Sequence, residues 1–231
     1  MKRLVLALLV VCWGCEPARI VIRAPSVVYS PSVISIEQVP DTARAVQVVL
    51  TADLTWMGRP MGRQPQPASG FIVACRDDWI YVATCEHAAT MQVPPGAVAT
   101  GERIAVAGQP AEVWLLDVRR DLAVLRFRGT RWYPDAKLAT AIVGQSAWAA
   151  GWVSVDATPP EYVLHTMRGT VAALSKRYIG HNAGIRRGFS GGPLLDSRGR
   201  LLGINARMHG TSFGYAVPSR YLEAIIESLP P

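Results

Sequence analysis

Cysteine and histidine are scarce in this sequence, with four of each among 231 residues. Cys12 and Cys15 lie at the start of the chain, so only Cys75 and Cys85 remain for the body of the protein. That number excludes a disulfide-rich scaffold, and no cysteine and histidine spacing matches a metal-ligand set. We therefore expect no metal and no cofactor, and we interpret Cys85-x-His87 as a coincidence at the end of a strand.

The positions of Cys75 and Cys85 also argue against a bond between them. If residues 71–75 and 79–85 form a hairpin, Cys75 lies at the turn and Cys85 lies near the open end. At ~3.3 Å per residue, the two are farther apart than the ~7 Å that a disulfide permits. The sequence predicts two small, buried, free thiols.

Charged residues are also few, at 18% of the chain, while half of the residues are apolar. This composition excludes a disordered chain, and the length allows one large domain or two small packed ones. The net charge of +7 suggests nucleic acid as a possible kind of partner. However, nearly all basic residues are arginines scattered singly along the chain. Nucleic-acid-binding proteins cluster such charge on one face, so we expect no nucleic-acid partner.

The N-terminal apolar run, Leu4–Val11, is too short to span a membrane. It follows the basic start Met1-Lys2-Arg3, and this layout is typical of a secretory signal peptide. We predict a signal over residues 1–15, and therefore export. Residues 16–43 hold four prolines and no sustained period, which predicts an extended linker.

Cys15 stands directly after the apolar run and follows Gly14, an arrangement that resembles the cleavage site of bacterial lipoproteins. The resemblance implies that Cys15 would be the lipidated first residue and would tether the protein to a membrane. Cys12 and Trp13 depart from that pattern, so a plain cleaved signal and an uncleaved anchor stay open. The expected location is the bacterial periplasm or cell envelope, with or without a lipid anchor, or the outside of the cell.

Short β-branched and aromatic runs, separated by glycine and proline, recur from residue 45 onwards. This pattern predicts an all-β protein of antiparallel barrels or sandwiches. The runs form two groups of about six, so we predict two six-stranded antiparallel barrels, over 44–130 and 138–218, with a C-terminal α-helix over 219–229 capped by Ser219. The predicted strands are 45–50, 70–75, 79–84, 103–107, 110–116, 122–127, 146–154, 162–167, 169–174, 192–195, 201–206 and 213–217, and 53–69 is predicted to be a loop.

Ser190 lies between glycines in Gly188-Phe-Ser-Gly-Gly192. A serine in such a turn, with free backbone N–H groups beside it, suits a nucleophile with an oxyanion hole, and an ordinary hairpin corner is the alternative. A nucleophile needs a base. Of the four histidines, only His87 directly follows an apolar strand at a predicted strand end. Asp121 stands immediately before a buried strand, where it is either a turn residue or an acceptor for His87.

Three segments together resemble the catalytic motifs of chymotrypsin-fold serine peptidases, and most closely the bacterial HtrA/Deg-type group. They are Val-Ala-Thr-Cys-Glu-His-Ala88, Arg-Asp-Leu-Ala-Val-Leu125 and Gly-Phe-Ser-Gly-Gly-Pro-Leu194, in that order, and the similarity covers roughly 44–229. The resemblance implies that Ser190 is the nucleophile, that His87 is the general base and acid, and that Asp121 orients His87. It further implies an oxyanion hole formed by the N–H groups of Gly188 and Ser190.

The same resemblance implies residues that bind a protein or peptide substrate. Ala206, Arg207 and Met208 would pair with the substrate backbone. The primary specificity pocket would be lined by Gly184, Ile185 and Gly214. No acid stands at Gly184, so we expect an apolar residue at the cleaved position rather than Lys or Arg.

Phe189 departs from the family pattern, which has Asn or Asp before the serine. Without an acid there, activation by a new N-terminus that pairs with that residue is not available. The chain ends at Pro231 after the predicted helix, so we expect no PDZ module in it.

Two alternatives remain in view. Gly188-x-Ser190-x-Gly192 also fits the nucleophile elbow of α/β-hydrolases, but that fold needs a helix directly after the serine, and a β-rich run follows here. The other alternative is a catalytically inactive member of the peptidase fold that binds peptides or proteins. The sequence leaves the oligomeric state open.

Overall fold

The computed structural model describes residues 42–155, 161–210 and 213–230. The predicted signal over residues 1–15, Cys15 and the predicted linker up to residue 41 lie outside the described residues. None of the helices in the described part of the chain is both long and apolar enough to cross a membrane.

Six antiparallel strands close the first barrel, in the order β1-β2-β3-β6-β5-β4. They are β1 (Ala45–Trp56), β2 (Arg59–Arg76), β3 (Trp79–Thr84), β4 (Ala97–Val106), β5 (Gln109–Asp117) and β6 (Leu122–Arg128). A short helix, α1 (Glu86–Ala89), follows β3. The prediction of a six-stranded first barrel is confirmed.

Six more antiparallel strands close the second barrel, in the order β10-β11-β12-β9-β8-β7. They are β7 (Ser146–Val155), β8 (Glu161–Leu174), β9 (Ile179–His181), β10 (Pro193–Leu195), β11 (Leu201–His209) and β12 (Phe213–Pro218). The helix α2 (Arg220–Glu227) follows β12. The predicted fold class, a double barrel with a C-terminal helix, is therefore confirmed.

The predicted loop over residues 53–69 is wrong, because β1 and β2 pair along this whole stretch and turn at Met57-Gly58. The prolines of the stretch fit a strand because β3 pairs with β2 only from Phe71 onwards. The earlier part of β2 is thus an edge whose outward N–H positions need no partner. Pro65 and Pro67, two residues apart, share that outward side of the strand.

Two smaller predictions are also wrong, and two short elements were not predicted. Residues 162–174 form one strand, β8, that continues through Gly169 instead of two. The short elements α1 and β9 carry no sequence signal long enough to be predicted. Ser219 makes no side-chain capping bond to α2, because its hydroxyl donates to the carbonyl of Ala139.

The apolar side of α2 packs onto a core cluster that contains residues of both barrels. Leu222, Ile226 and Leu229 are buried in this cluster. It continues into the second barrel through Leu195 and Ile204 and into the first through its β-strand interiors. These buried side chains therefore hold the C-terminal helix against both barrels.

Cys75 and Cys85 are both buried and free, as the sequence predicts. Cys75 lies near the turn of the β2–β3 hairpin, opposite Ile80, and Cys85 lies just beyond its open end. Burial raises the pKa of the Cys75 thiol and raises that of Cys85 well above its ordinary range. Both thiols are therefore protonated and unreactive at neutral pH.

Candidate active site

His87 lies in the first turn of α1, which begins just after the end of β3. Gln66 of β2 fixes the position of this short helix. Its Nε2 donates to the carbonyl of His87 at 2.8 Å and to that of Thr90 at 3.2 Å. The imidazole is about one third exposed, so His87 stands at a strand end facing an accessible surface, as the sequence predicts.

Asp121 ends the turn between β5 and β6 and is almost fully buried. Its backbone has φ +54°, in the left-handed region that few residues other than glycine adopt and that Asp tolerates better than most. The turn is closed by the N–H of Arg120, which donates to the carbonyl of Asp117 at 3.2 Å. This conformation directs the carboxylate toward α1.

The carboxylate of Asp121 receives two hydrogen bonds from His87. Its Oδ1 lies 2.8 Å from His87 Nδ1 and accepts the backbone N–H of His87 at 3.2 Å. Arg207 Nε lies 3.7 Å from Oδ2. Burial alone would raise the pKa of Asp121, but these bonds and the positive charge of Arg207 outweigh it, and the pKa lies below its ordinary value. The group is a carboxylate at neutral pH and holds the Nδ1 proton of His87.

Ser190 lies in a loop of the second barrel that approaches the first barrel too closely for side chains. A Cβ on Gly191 would lie 2.0 Å from the carbonyl oxygen of Ser69 and 2.0 Å from Thr84 Oγ1. A Cβ on Gly188, which has φ +96°, would lie 2.2 Å from the carbonyl oxygen of Trp152. Gly191 is therefore required by the close approach of the first barrel, and Gly188 is required by the close approach of β7 within the second barrel.

One carbonyl connects the two halves of the site. The backbone oxygen of Asn205 accepts the N–H of Gly191 at 2.7 Å and the thiol of Cys85 at 3.0 Å. The residue after Ser190 and the residue two before His87 thus share a hydrogen-bond acceptor. The fold brings Ser190, His87 and Asp121 to one region between the barrels.

Two features of this region bear on chemistry. Within the described residues, Ser190 Oγ and His87 Nε2 are not hydrogen-bonded to each other, and His87 uses Nδ1 for its bond to Asp121. The N–H groups of Gly188 and Ser190 also have no acceptor among the described residues. Two backbone donors without an acceptor among the described residues therefore lie in the same loop as the hydroxyl of Ser190.

The residues predicted to pair with a substrate lie on β11, where one edge of the strand is open. β10 pairs with β11 only from Leu201 to Ile204, whereas β12 pairs with β11 as far as His209. Ala206 is buried, and Arg207 and Met208 are exposed. The Ser190 loop pairs with this edge at Asn205, and from Ala206 onwards no strand of the described residues pairs with it.

The residues predicted to line the primary pocket lie together in the second barrel. The atoms nearest to a Cβ built on Gly214 belong to His181 and Ile185, and the atom nearest to one on Gly184 belongs to Met167. None of these neighbours is an acid.

His181 is a polar group of this region that the sequence did not single out. It is the last residue of β9 and is fully buried. Its Nδ1 accepts the N–H of Ala183 at 3.3 Å, so the proton of the neutral ring lies on Nε2. Burial lowers its pKa from 6.5 to about 4, and the nearby Asn205 side chain offsets part of that effect.

Cys85, His87 and Asp121 each place one potential metal-ligand atom within 4.8 Å of the others. The Cys85 thiol is fully buried and protonated, and it donates to the carbonyl of Asn205. His87 Nδ1 is hydrogen-bonded to Asp121. Because a metal needs the thiolate and a free ring nitrogen, we interpret the cluster as part of the His87–Asp121 arrangement.

Phe189 has its side chain fully buried in the core of the second barrel. A Cβ on Gly151 would lie 2.6 Å from Phe189 Cα and 2.8 Å from its Cγ, so the ring packs against a bare backbone of β7. Its N–H donates to the carbonyl of Arg186, and its own carbonyl accepts the N–H of Gly192. An apolar ring therefore occupies the position where the family pattern has a polar residue.

Comparison with known proteins gives a consistent result. Residues 68–204, more than half of the chain, match the family model described as a trypsin-like peptidase domain. Protease Do-like 1, chloroplastic, of Arabidopsis thaliana is 31% identical over 134 residues, which are 52% of this chain and 30% of that protein. Serine protease HTRA4 of Mus musculus is 26% identical over 185 residues, which are 73% of this chain and 36% of that protein. The chain thus spans about a third of the length of these relatives.

A solved structure, the serine endoprotease from Yersinia pestis, has the same fold. It superposes with a TM-score of 0.56 and 23% sequence identity, covering 81% of this chain and 65% of the other. At this identity the likeness concerns the fold alone.

The buried His181 predicts a stability that depends on pH. Its pKa is lower in the folded state than in the unfolded state, so the unfolded chain takes up the proton first as the pH falls. The stabilisation is complete above about pH 6.5 and is lost between there and about pH 4. We expect the free energy of unfolding in urea to fall by about 2 kcal/mol from pH 7 to pH 5 through this group.

The control is a second histidine. His181→Gln should remove most of this pH dependence, whereas His209→Gln, which changes an exposed ring, should keep it. If His181→Gln retains the parental slope, the buried imidazole is not its source.

Proposed function

Because the chain belongs to the trypsin-like peptidase domain family, we propose that it is an exported serine endopeptidase. The observation that carries this proposal is the His87–Asp121 pair at 2.8 Å beside the glycine-framed Ser190. HtrA- and Do-like serine proteases are among its relatives, which makes proteins or peptides the proposed substrates.

In the proposed reaction, Ser190 Oγ attacks the carbonyl carbon of the scissile peptide bond. His87 Nε2 takes the hydroxyl proton as the C–O bond forms, and the carbonyl electrons move onto oxygen. When the tetrahedral intermediate collapses, the C–N bond breaks and His87 delivers its proton to the leaving amine. Water, activated by His87 in the same way, then cleaves the acyl-enzyme ester and regenerates Ser190.

Asp121 supports this proton transfer. Its carboxylate accepts the Nδ1 proton of His87, which fixes the tautomer with a lone pair on Nε2 and stabilises the imidazolium that forms. The depressed pKa of Asp121 keeps it ionised through the neutral range. Donors for the oxyanion are the N–H groups of Gly188 and Ser190, and loss of one such donor costs about 10²–10³ in kcat.

Substrate binding uses the open edge of β11. An extended peptide would pair with the backbone of Ala206, Arg207 and Met208, as an added antiparallel strand. Its side chain at the cleaved position would enter the space near Gly184, Ile185 and Gly214. In this mode the protein binds most of the peptide through its backbone and recognises a side chain mainly at the cleaved position.

Substitutions in the triad test the reaction. Ser190→Ala and His87→Ala should each lower turnover of fluorescent casein by about 10⁴-fold or more, because a triad acts as a unit, while the melting temperature stays near parental. A fluorophosphonate probe should label the parent protein and not Ser190→Ala. If folded parent protein is neither labelled nor active on casein, the chain is instead a peptide-binding member of the fold.

The pocket predicts the cleavage preference. Among the described residues, none of the atoms nearest to Gly184 or Gly214 belongs to an acid, and the neighbouring His181 is neutral, so we expect peptide-library cleavage after apolar residues and not after Lys or Arg. Ser190→Ala, run against the same library, should yield no cleavage products and so controls for contaminating proteases. A preference for Lys or Arg would contradict the proposed pocket.

Export and anchoring are part of the proposal and rest on the sequence of residues 1–15. When the full chain is expressed in a bacterium fed with labelled palmitate, label should enter the protein, and Cys15→Ala should abolish it. Cys12→Ala, which changes a cysteine inside the leader, should leave labelling intact. Unlabelled protein in the periplasm would favour a plain cleaved signal, and protein in the cytoplasm would contradict export.

A further inference from the structure

Ser69 of β2, in the first barrel, makes four hydrogen bonds around the Ser190 loop. It is fully buried. Its Oγ donates to the carbonyl of Gly188 at 2.6 Å and accepts the N–H of Trp152 at 2.8 Å. Its own N–H donates to the carbonyl of Ser190 at 2.8 Å, and its carbonyl accepts Thr84 Oγ1 at 2.7 Å.

The direction of the bond to Gly188 is fixed by chemistry. A serine hydroxyl has one proton and two lone pairs, whereas a backbone N–H can only donate. Because Trp152 N–H occupies a lone pair of Ser69 Oγ, the single proton of that hydroxyl points to the carbonyl of Gly188.

Ser69 holds both residues whose N–H groups are proposed to bind the oxyanion. Among the described residues, the carbonyls of Gly188 and Ser190 receive hydrogen bonds from Ser69 and from no other group. The other bonds of the loop, such as Phe189 N–H to the carbonyl of Arg186, come from the second barrel itself. Gly188, at φ +96°, has the backbone freedom that makes an external restraint necessary.

We propose that Ser69 is the positioning residue of the oxyanion loop: it fixes the Gly188 and Ser190 backbone from the opposite barrel so that their N–H groups face the reacting carbonyl. This inference rests on the proposed peptidase function. Ser69 does not touch the substrate. It acts in the transition state through the two backbone donors, so its loss affects the chemical step more than the binding of a ground-state peptide.

The test compares Ser69→Ala with the parent on a peptide substrate selected from the library. We expect kcat to fall by at least ~10-fold, up to the ~10²–10³-fold that loss of a whole oxyanion donor costs, with KM within about threefold of parental. Inhibition by a peptide boronate, which forms a tetrahedral adduct on Ser190, should weaken by a similar factor. The affinity for a cleaved product peptide should not change.

Two further variants separate positioning from stability. Ser219 is another buried serine whose hydroxyl donates to a backbone carbonyl, that of Ala139, away from the loop. Ser219→Ala should lower the melting temperature and keep the parental kcat. Ser69→Thr, which retains the hydroxyl, should recover most of the kcat lost in Ser69→Ala. If Ser69→Ala does not fold, Ser69→Cys replaces it, since the thiol keeps the volume and is a weak donor.

The outcomes are distinguishable. A parent protein that is folded but neither labelled by the fluorophosphonate nor active overturns the peptidase proposal itself. An active parent with a folded Ser69→Ala or Ser69→Cys variant of parental kcat overturns the positioning role alone. So does a loss that lies entirely in KM, or one that Ser219→Ala reproduces.

Discussion

The fold depends on a contact between two backbones that leaves no room for side chains. Where the Ser190 loop meets β2, the N–H of Ser69 bonds the carbonyl of Ser190 and the carbonyl of Ser69 lies where a Cβ of Gly191 would be. Each barrel closes on its own hydrogen bonds, but the site exists only where they touch. His87 and Asp121 come from the first barrel and Ser190 from the second, so this contact sets the geometry between the proposed base and the proposed nucleophile.

The sequence predicts the architecture well because the responsible signals are local. The hairpin around Asp77 lies within a dozen residues, and short β-branched and aromatic runs separated by glycine and proline indicate the strands. The closeness of His87 and Asp121 was predicted in a different way, from motifs whose order resembles a known family. The structure brings these two side chains to 2.8 Å, while their catalytic role stays a prediction.

Other parts of the site lie beyond a sequence argument. Ser69 and Gln66 belong to a proline-rich stretch that local composition describes as a loop, and only the edge position of β2 makes it a strand. The burial of His181 depends on β9 lying between β8 and β12 in the second barrel, which no periodicity over three residues can indicate. Hydrogen bonds between residues 119 positions apart, such as Ser69 to Gly188, are set by tertiary packing and leave no pattern along the chain.

Apolar packing of Phe189 anchors the Ser190 loop to the second barrel. Its ring is buried against β7 and the core of the second barrel, where a charged group would have to be paired. An ion pair weakens as salt screens it, whereas burial of apolar surface is largely indifferent to screening and loses strength on cooling. Cooling should therefore loosen the packing of this loop more than added salt does. The conditions under which the loop stays ordered are then set by temperature and not by ionic strength.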